Sequence, residues 1–204
     1  MTQLVEASEP GLRERKKRAT RRALQRAALR LVAEHGLDDV TVEQIAAEAD
    51  VSARTFFNYF GTKEDALSAI DAEAVDENCA ALAARPADEP PLVSLRAVFV
   101  ARAEEVAADT EFWRYRAAVA KAYPDVFARV LSASIASDYK VAAVLAERMG
   151  VDRHIDPRPG LLVGAASVAR RTAMHVWLAN GQDRPLVEVL EECFDRIAAL
   201  DQID

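Results

Sequence analysis

The 204-residue sequence predicts an all-α fold. Apolar residues recur at spacings near 3.6, and sustained alternation is rare. Ala, Leu, Val, Glu and Arg dominate, most of them good helix formers. The boundaries between periodic runs carry Gly, Pro or a Ser/Thr/Asp cap. With 51% hydrophobic and 29% charged residues, the chain can build a real core and is not a disordered polymer.

The elements follow in order. A first helix is expected from about Arg13 to His35, with Leu24, Ala27, Ala28, Leu31 and Val32 as its apolar stripe and Gly36 as its stop. Thr41 with Gln44 is a capping box that starts a short second helix ending near Ala49-Asp50. Ser52 caps a third, 53–58, and Thr62 with Asp65 caps a fourth reaching about Ala83. Residues 85–91, RPADEPP, form a helix-breaking linker. Further helices are expected at 92–107, 111–122, 124–149, 158–179 and 185–200, giving nine helices in all. Pro124 suits a first helical position, and Gly150 and Gly181 suit C-termini. The predicted division is an arm at 1–12, a small domain at 13–61 and a larger helical domain at 62–204.

Charge is unevenly distributed. The net charge is −7, yet residues 11–30 hold nine basic side chains against Glu14 alone, and the remainder carries −15. Concentrated positive charge on an otherwise acidic chain points to a polyanion at that end. The seven glycines form neither dinucleotide- nor phosphate-loop patterns, and the two cysteines, Cys79 and Cys193, form no metal-ligand spacing. His35, His154 and His175 offer no catalytic or zinc constellation, so no enzyme, metal or cofactor is expected. No run approaches the ~18 apolar residues of a spanning helix. The opening MTQLVEASEP lacks the order of a secretory signal, so a cytoplasmic location is expected.

Residues 41–63, TVEQIAAEADVSARTFFNYFGTK, carry the most information. Two short helices flank a turn at Glu48–Val51, and Ile45, Ala46, Ala49, Val51 and Phe56 are spaced to share one small core. Small residues at 46 and 49 allow a close, steep crossing, the design of a helix-turn-helix whose second helix enters the DNA major groove. An ordinary helical hairpin is the plainer reading. Against it stand the basic stretch upstream and the polar face of Ser52, Ala53, Arg54, Thr55, Phe57, Asn58 and Tyr59, whose groups suit phosphates and base edges. Lys63, beside a helix N-terminus, is a further phosphate candidate.

VSARTFFNYFGTKEDAL, preceded by TVEQIAAEADV, closely resembles the DNA-binding signature of the TetR/AcrR-type repressors. RRALQRAALRLVAEHGLDDV is similar to that family's first helix and turn, so the specific match spans residues 18–68. The resemblance implies a homodimeric, ligand-responsive regulator. Thr41 is then a phosphate contact, residues 52–59 the recognition helix and Lys63 the phosphate-binding lysine. Arg54 departs from the small residue common there and is a candidate guanine reader, and Asn58-Tyr59 replaces a common aromatic–histidine pair. Of the basic stretch, Arg15, Lys16, Lys17 and Arg18 are the chosen phosphate contacts, whereas Arg26 and Arg30 are candidates to pair with acids such as Glu34.

Two groups stand out in the body. Phe99, Trp113, Arg116, Tyr123, Phe127, Arg171, Met174 and His175 form a candidate pocket for an amphipathic anion; the plainer reading makes the aromatics core and the arginines exposed. The pattern after Gly150 weakly resembles repressors that sense acyl-CoA-like ligands. Leu161, Leu162, Ala165, Val168, Leu186, Val189, Leu190, Phe194 and Ile197 are apolar stripes that can pack within one chain; the resemblance implies that they pair two copies. The expected partners are operator DNA, a second copy and a small effector; an adaptor or architectural protein without an effector is the alternative.

Overall fold

The computed structural model describes residues 11–199. The described chain is helical throughout: α1 (Leu12–His35), α2 (Val42–Glu48), α3 (Ala53–Phe57), α4 (Lys63–Ser68), α5 (Ala72–Ala83), α6 (Pro91–Ala107), α7 (Thr110–Ala122), α8 (Pro124–Met149), α9 (Arg158–Ala179) and α10 (Leu186–Ala198). Most of the arm expected at 1–12 lies outside the described residues; Gly11 precedes α1, and Leu12 begins it. No helix among the described residues is long and apolar enough to cross a membrane.

The helix predicted at 62–83 is two segments, α4 and α5, broken at Ala69–Asp71. Counted as one interrupted helix, they restore the nine-helix arrangement. The break has a chemical cause. Ala69 turns to ψ 139°, and its carbonyl accepts from Gln25 Nε2 at 2.8 Å and Arg116 Nη1 at 3.0 Å. Asp71 then accepts from the Ala74 N–H at 3.1 Å, capping α5.

The chain divides into two compact units. One runs to Ala69 and also takes in Tyr115–Val126; the other comprises Ile70–Arg114 and the chain from Phe127 onward. The first unit therefore exceeds the small domain predicted at 13–61, because it recruits a segment distant in sequence.

In the first unit, Leu24, Ala28, Leu29 and Val32 of α1 are buried with Val40, Ile45, Ala46, Phe56, Phe60, Ala66 and Leu67. The turn between α2 and α3 is closed by Asp50 N–H to Ala47 O and Val51 N–H to Ala46 O, with Asp50 at φ 52°. This is a glycine-style helix stop made by Asp, one of the few residues that tolerate the left-handed region.

In the second unit the core joins α6, α9, α10 and the C-terminal part of α8, through Leu95, Val98, Phe99, Leu145, Val163, Ala173, Trp177, Leu190 and Phe194. Gly150, at φ 64°, ends α8 with the same two-bond closure, from its own N–H to Glu147 O and from Val151 N–H to Ala146 O. Residues 127–140 of α8 include no buried side chain.

Candidate nucleic-acid interface

The candidate site is built on the caps. Thr41 Oγ1 accepts from the Gln44 N–H at 3.3 Å while Gln44 Oε1 accepts from the Thr41 N–H at 2.8 Å. Ser52 Oγ accepts from the Thr55 N–H at 3.1 Å and lies 2.9 Å from Thr55 Oγ1. These bonds satisfy donors at helix starts that would otherwise lack partners. They also fix where α3 begins. Phe56 faces inward, fully buried, meeting Phe57 edge-on at 5.6 Å and Phe60 at 5.7 Å.

With Phe56 as the anchor, the opposite face of α3 points to solvent. Ser52, Arg54, Phe57 and Asn58 are exposed, while Ala53, Thr55 and Tyr59 are half-buried. Phe57 leaves 56% of its surface uncovered. Arg54 makes no hydrogen bond or ion pair with any described residue. Thr41 is exposed at the start of α2. In α1, Arg13, Arg15, Lys16, Lys17 and Arg22 are exposed and Arg18 is half-buried; Lys17 lies 3.6 Å from Glu14.

Three other cations do structural work in this unit. Arg21 donates to Tyr59 O at 3.2 Å and lies 4.5 Å over the Phe60 ring, tying α1 to the end of the recognition segment. Arg30 pairs with Glu34 at 3.0 Å and Glu48 at 2.5 Å, the kind of acid partner expected for it. Lys63, predicted to hold phosphate, donates to Leu37 O at 2.5 Å and Val40 O at 3.0 Å. Two of its three donors thus hold the α1–α2 turn; one remains for an anion.

The predicted ligand residues are distributed over both units. Arg116 and Tyr123 lie in the first unit, where Arg116 donates to Ala69 O and the Tyr123 hydroxyl accepts from the Leu37 N–H at 2.8 Å. In the second unit, Phe99 is core, Trp113 and Met174 are half-buried against that core, and Phe127, Arg171 and His175 are exposed. The neighbouring Arg170, one residue before Arg171 and so turned about 100° around α9, is half-buried. Arg170 Nη2 donates to Ser134 Oγ at 3.1 Å, while Ser167 Oγ donates to Asp138 Oδ1 at 2.6 Å and Arg171 lies 3.9 Å from Asp138 Oδ2. Burial pushes the Arg170 guanidinium below its usual value, opposed by the Asp138 charge. Elsewhere in this unit an open depression of about 550 Å³ is lined by Glu104, Thr110, Trp177, Asp183 and Arg184.

The predicted pairing surface also divides. Leu186, Val189, Leu190 and Phe194 are buried in the chain's own core, with Leu162 and Ile197 partly buried against it. Their stripe faces α9 and α6 of the same molecule, so it is consumed by folding. Leu161 and Val168 of α9 remain exposed, at 69% and 51%, with Ala165 half-buried between them.

Residues 24–70 match the family of bacterial regulatory proteins described as the tetR family, and residues 89–201 match the MftR C-terminal domain. The chain is 35% identical over 202 residues to the HTH-type transcriptional regulator TcmR of Streptomyces glaucescens, covering 95% of this chain and 87% of that one. Its fold is like that of the fatty acid degradation regulator FadR from Bacillus halodurans, with TM-score 0.60 and 16% identity over 93% of this chain and 96% of that one. It is also like that of Thermus thermophilus FadR, a transcriptional repressor solved with lauroyl-CoA, with TM-score 0.51 and 24% identity over 90% and 96% of the two chains. Both parts of the sequence match, and the identity to TcmR extends over nearly the whole length: the chain belongs to the tetR family of bacterial regulatory proteins, and it is a transcriptional regulator rather than an enzyme.

Proposed function

We propose that the chain is a repressor that binds a palindromic operator as a homodimer and is released by a small amphipathic effector. The observation that carries the reading is the solvent-facing side of α3, where Arg54, Phe57 and Asn58 stand exposed on a helix start fixed by Ser52, beside the exposed cations of α1. Such a short helix inserts its leading residues against base edges while the flanking cations and hydroxyls hold phosphates. Arg15, Lys16, Lys17, Arg18 and Thr41 are the phosphate set, with the third donor of Lys63 added on binding. Ser52, Ala53, Arg54, Thr55, Phe57, Asn58 and Tyr59 are the groove set.

Two copies place their α3 helices about 34–36 Å apart, one helical turn of DNA. The exposed α9 face at Leu161, Ala165 and Val168 is the pairing surface this reading assigns. The effector binds in the helical unit and stabilises a conformation in which the two α3 helices no longer match that spacing. A preference of a few kcal/mol for that conformation suffices. The lauroyl-CoA of the Thermus thermophilus FadR supports an acyl-type effector here, with Arg170 as the cation within the unit to meet its charge.

A gel shift on the DNA flanking the chain's own gene tests the reading. Specific binding should weaken by roughly tenfold or more between 50 and 200 mM salt, as counterions released from several phosphates require. Adding an acyl-CoA should both raise the melting temperature and release the DNA. Binding indifferent to salt and to DNA sequence would contradict the operator reading. Acyl-CoA that leaves the complex intact would remove the acyl class.

A further inference from the structure

Residues Tyr115–Val126 pack as part of the unit that carries α3, and they reach it through polar contacts. The Tyr115 hydroxyl donates to Glu34 Oε1 at 3.1 Å on the exposed surface. Arg116 joins Gln25 on the Ala69 carbonyl. Tyr123 makes the contact with the greatest leverage, because it meets a turn rather than a helix. Its hydroxyl accepts from the Leu37 N–H at 2.8 Å, while Lys63 donates to the Leu37 carbonyl from α4. Both polar groups of residue 37 are thereby held by side chains, one 86 positions away and the other 26. The turn they hold begins at Gly36, whose φ of 91° leaves the helical region, and ends at Thr41, the cap of α2. The hydroxyl is so near that a Cβ on Gly36 would lie 3.6 Å from it.

We propose that Tyr123 is a positioning residue for DNA binding: its hydroxyl fixes the α1–α2 turn, and through it the placement of Thr41 and α2 beneath the recognition helix. The turn spans only five residues between α1 and Thr41, so a shift at Leu37 passes to the α2 N-terminus with little chain to absorb it. α2 in turn packs on α3. Removal of the hydroxyl leaves the Leu37 N–H in a part-buried setting without its acceptor and lets the turn relax. This proposal rests on the DNA-binding reading above.

The test compares full-length wild type, Tyr123→Phe and Tyr115→Phe, each assayed at a temperature where circular dichroism shows it folded. In the wild type, the Leu37 amide should exchange with solvent well below the rate of an exposed turn amide. Tyr123→Phe should speed that exchange and weaken operator binding about threefold to tenfold. Tyr115→Phe, which removes a hydroxyl from the same segment without touching the turn, should leave both unchanged. Fast exchange at Leu37 in the wild type, equal affinity for Tyr123→Phe, or an equal loss in both variants each overturns the proposal. A wild-type chain that binds no DNA defeats the operator reading and this proposal together. If the wild type binds and Tyr123→Phe binds as well, this proposal alone fails.

Discussion

Arg54 has an exposed side chain with no partner among the described residues, on a helix whose start and inner face are held by other side chains. Ser52 and Thr55 share a hydroxyl contact, and Phe56 is the buried anchor. A guanidinium so presented matches the two acceptors of guanine in the major groove. Arg54→Ala should cost about 1–3 kcal/mol on the preferred operator and far less on random DNA, read as a ratio of affinities at one salt concentration. Equal losses on both would make Arg54 a phosphate contact. The neighbouring cations cannot be read in this way from residue type. Arg21 and Arg30 belong to the same basic stretch, yet both bind groups within the protein.

At the scale of elements, the linker between α5 and α6 is predicted as a breaker and is held as a polar knot. Arg148 donates to Arg85 O at 2.6 Å, Pro86 O at 2.9 Å and Ser94 Oγ at 3.1 Å. Glu89 accepts from Arg85 Nε and Ser94 Oγ, each at 2.7 Å. The hydrogen bonds from Arg85, then from Ser94, hold the Glu89 carboxyl at about 2, against an ordinary 4.5. A carboxylate with a depressed folded pKa contributes stability that is complete above its unfolded value and is lost as pH falls toward the folded one. Glu89 therefore stabilises the fold above about pH 5. The contribution drains away between pH 4.5 and about 2. Melting curves of wild type and Glu89→Gln should differ most near neutrality and converge across that acid window. A constant difference at all pH values would show that the carboxylate charge is not what holds the linker.

For the whole molecule, α9 and α10 separate two uses of apolar surface. Leu190 is 1% exposed within the core of the second unit, whereas Val168 is 51% exposed on α9. Leu190→Ala should lower unfolding free energy by about 2–5 kcal/mol in denaturant titrations, through lost burial and the cavity left behind. If two copies pair through α9 as proposed, Val168→Asp should leave the protomer folded but shift the sedimentation profile from dimer to monomer, and operator binding should fall with it. If Val168→Asp stays dimeric with normal affinity, the copies meet elsewhere.

Except for the break at Ala69–Asp71, the helix boundaries and the helix-turn-helix were legible in the sequence because they depend on groups a few residues apart. Thr41 with Gln44, Ser52 with Thr55, Thr62 with Asp65 and Gly150 after α8 are each local chemistry that the folded chain keeps. The same locality made the solvent face of α3 readable once Phe56 was taken as its inner anchor. Periodicity could not say which partner an apolar stripe meets: Leu186 and Phe194 suited either the chain's own core or a second copy, and they lie in the core. Nor could it choose between Arg170 and Arg171, which differ by a third of a turn. Tertiary structure alone placed Tyr123 on Leu37 and Arg116 on Ala69, contacts 86 and 47 residues apart. Side-chain type records that a hydroxyl or guanidinium wants a partner; only the packing of distant segments supplies one, and at Ala69 that supply broke a helix that local propensity would have continued.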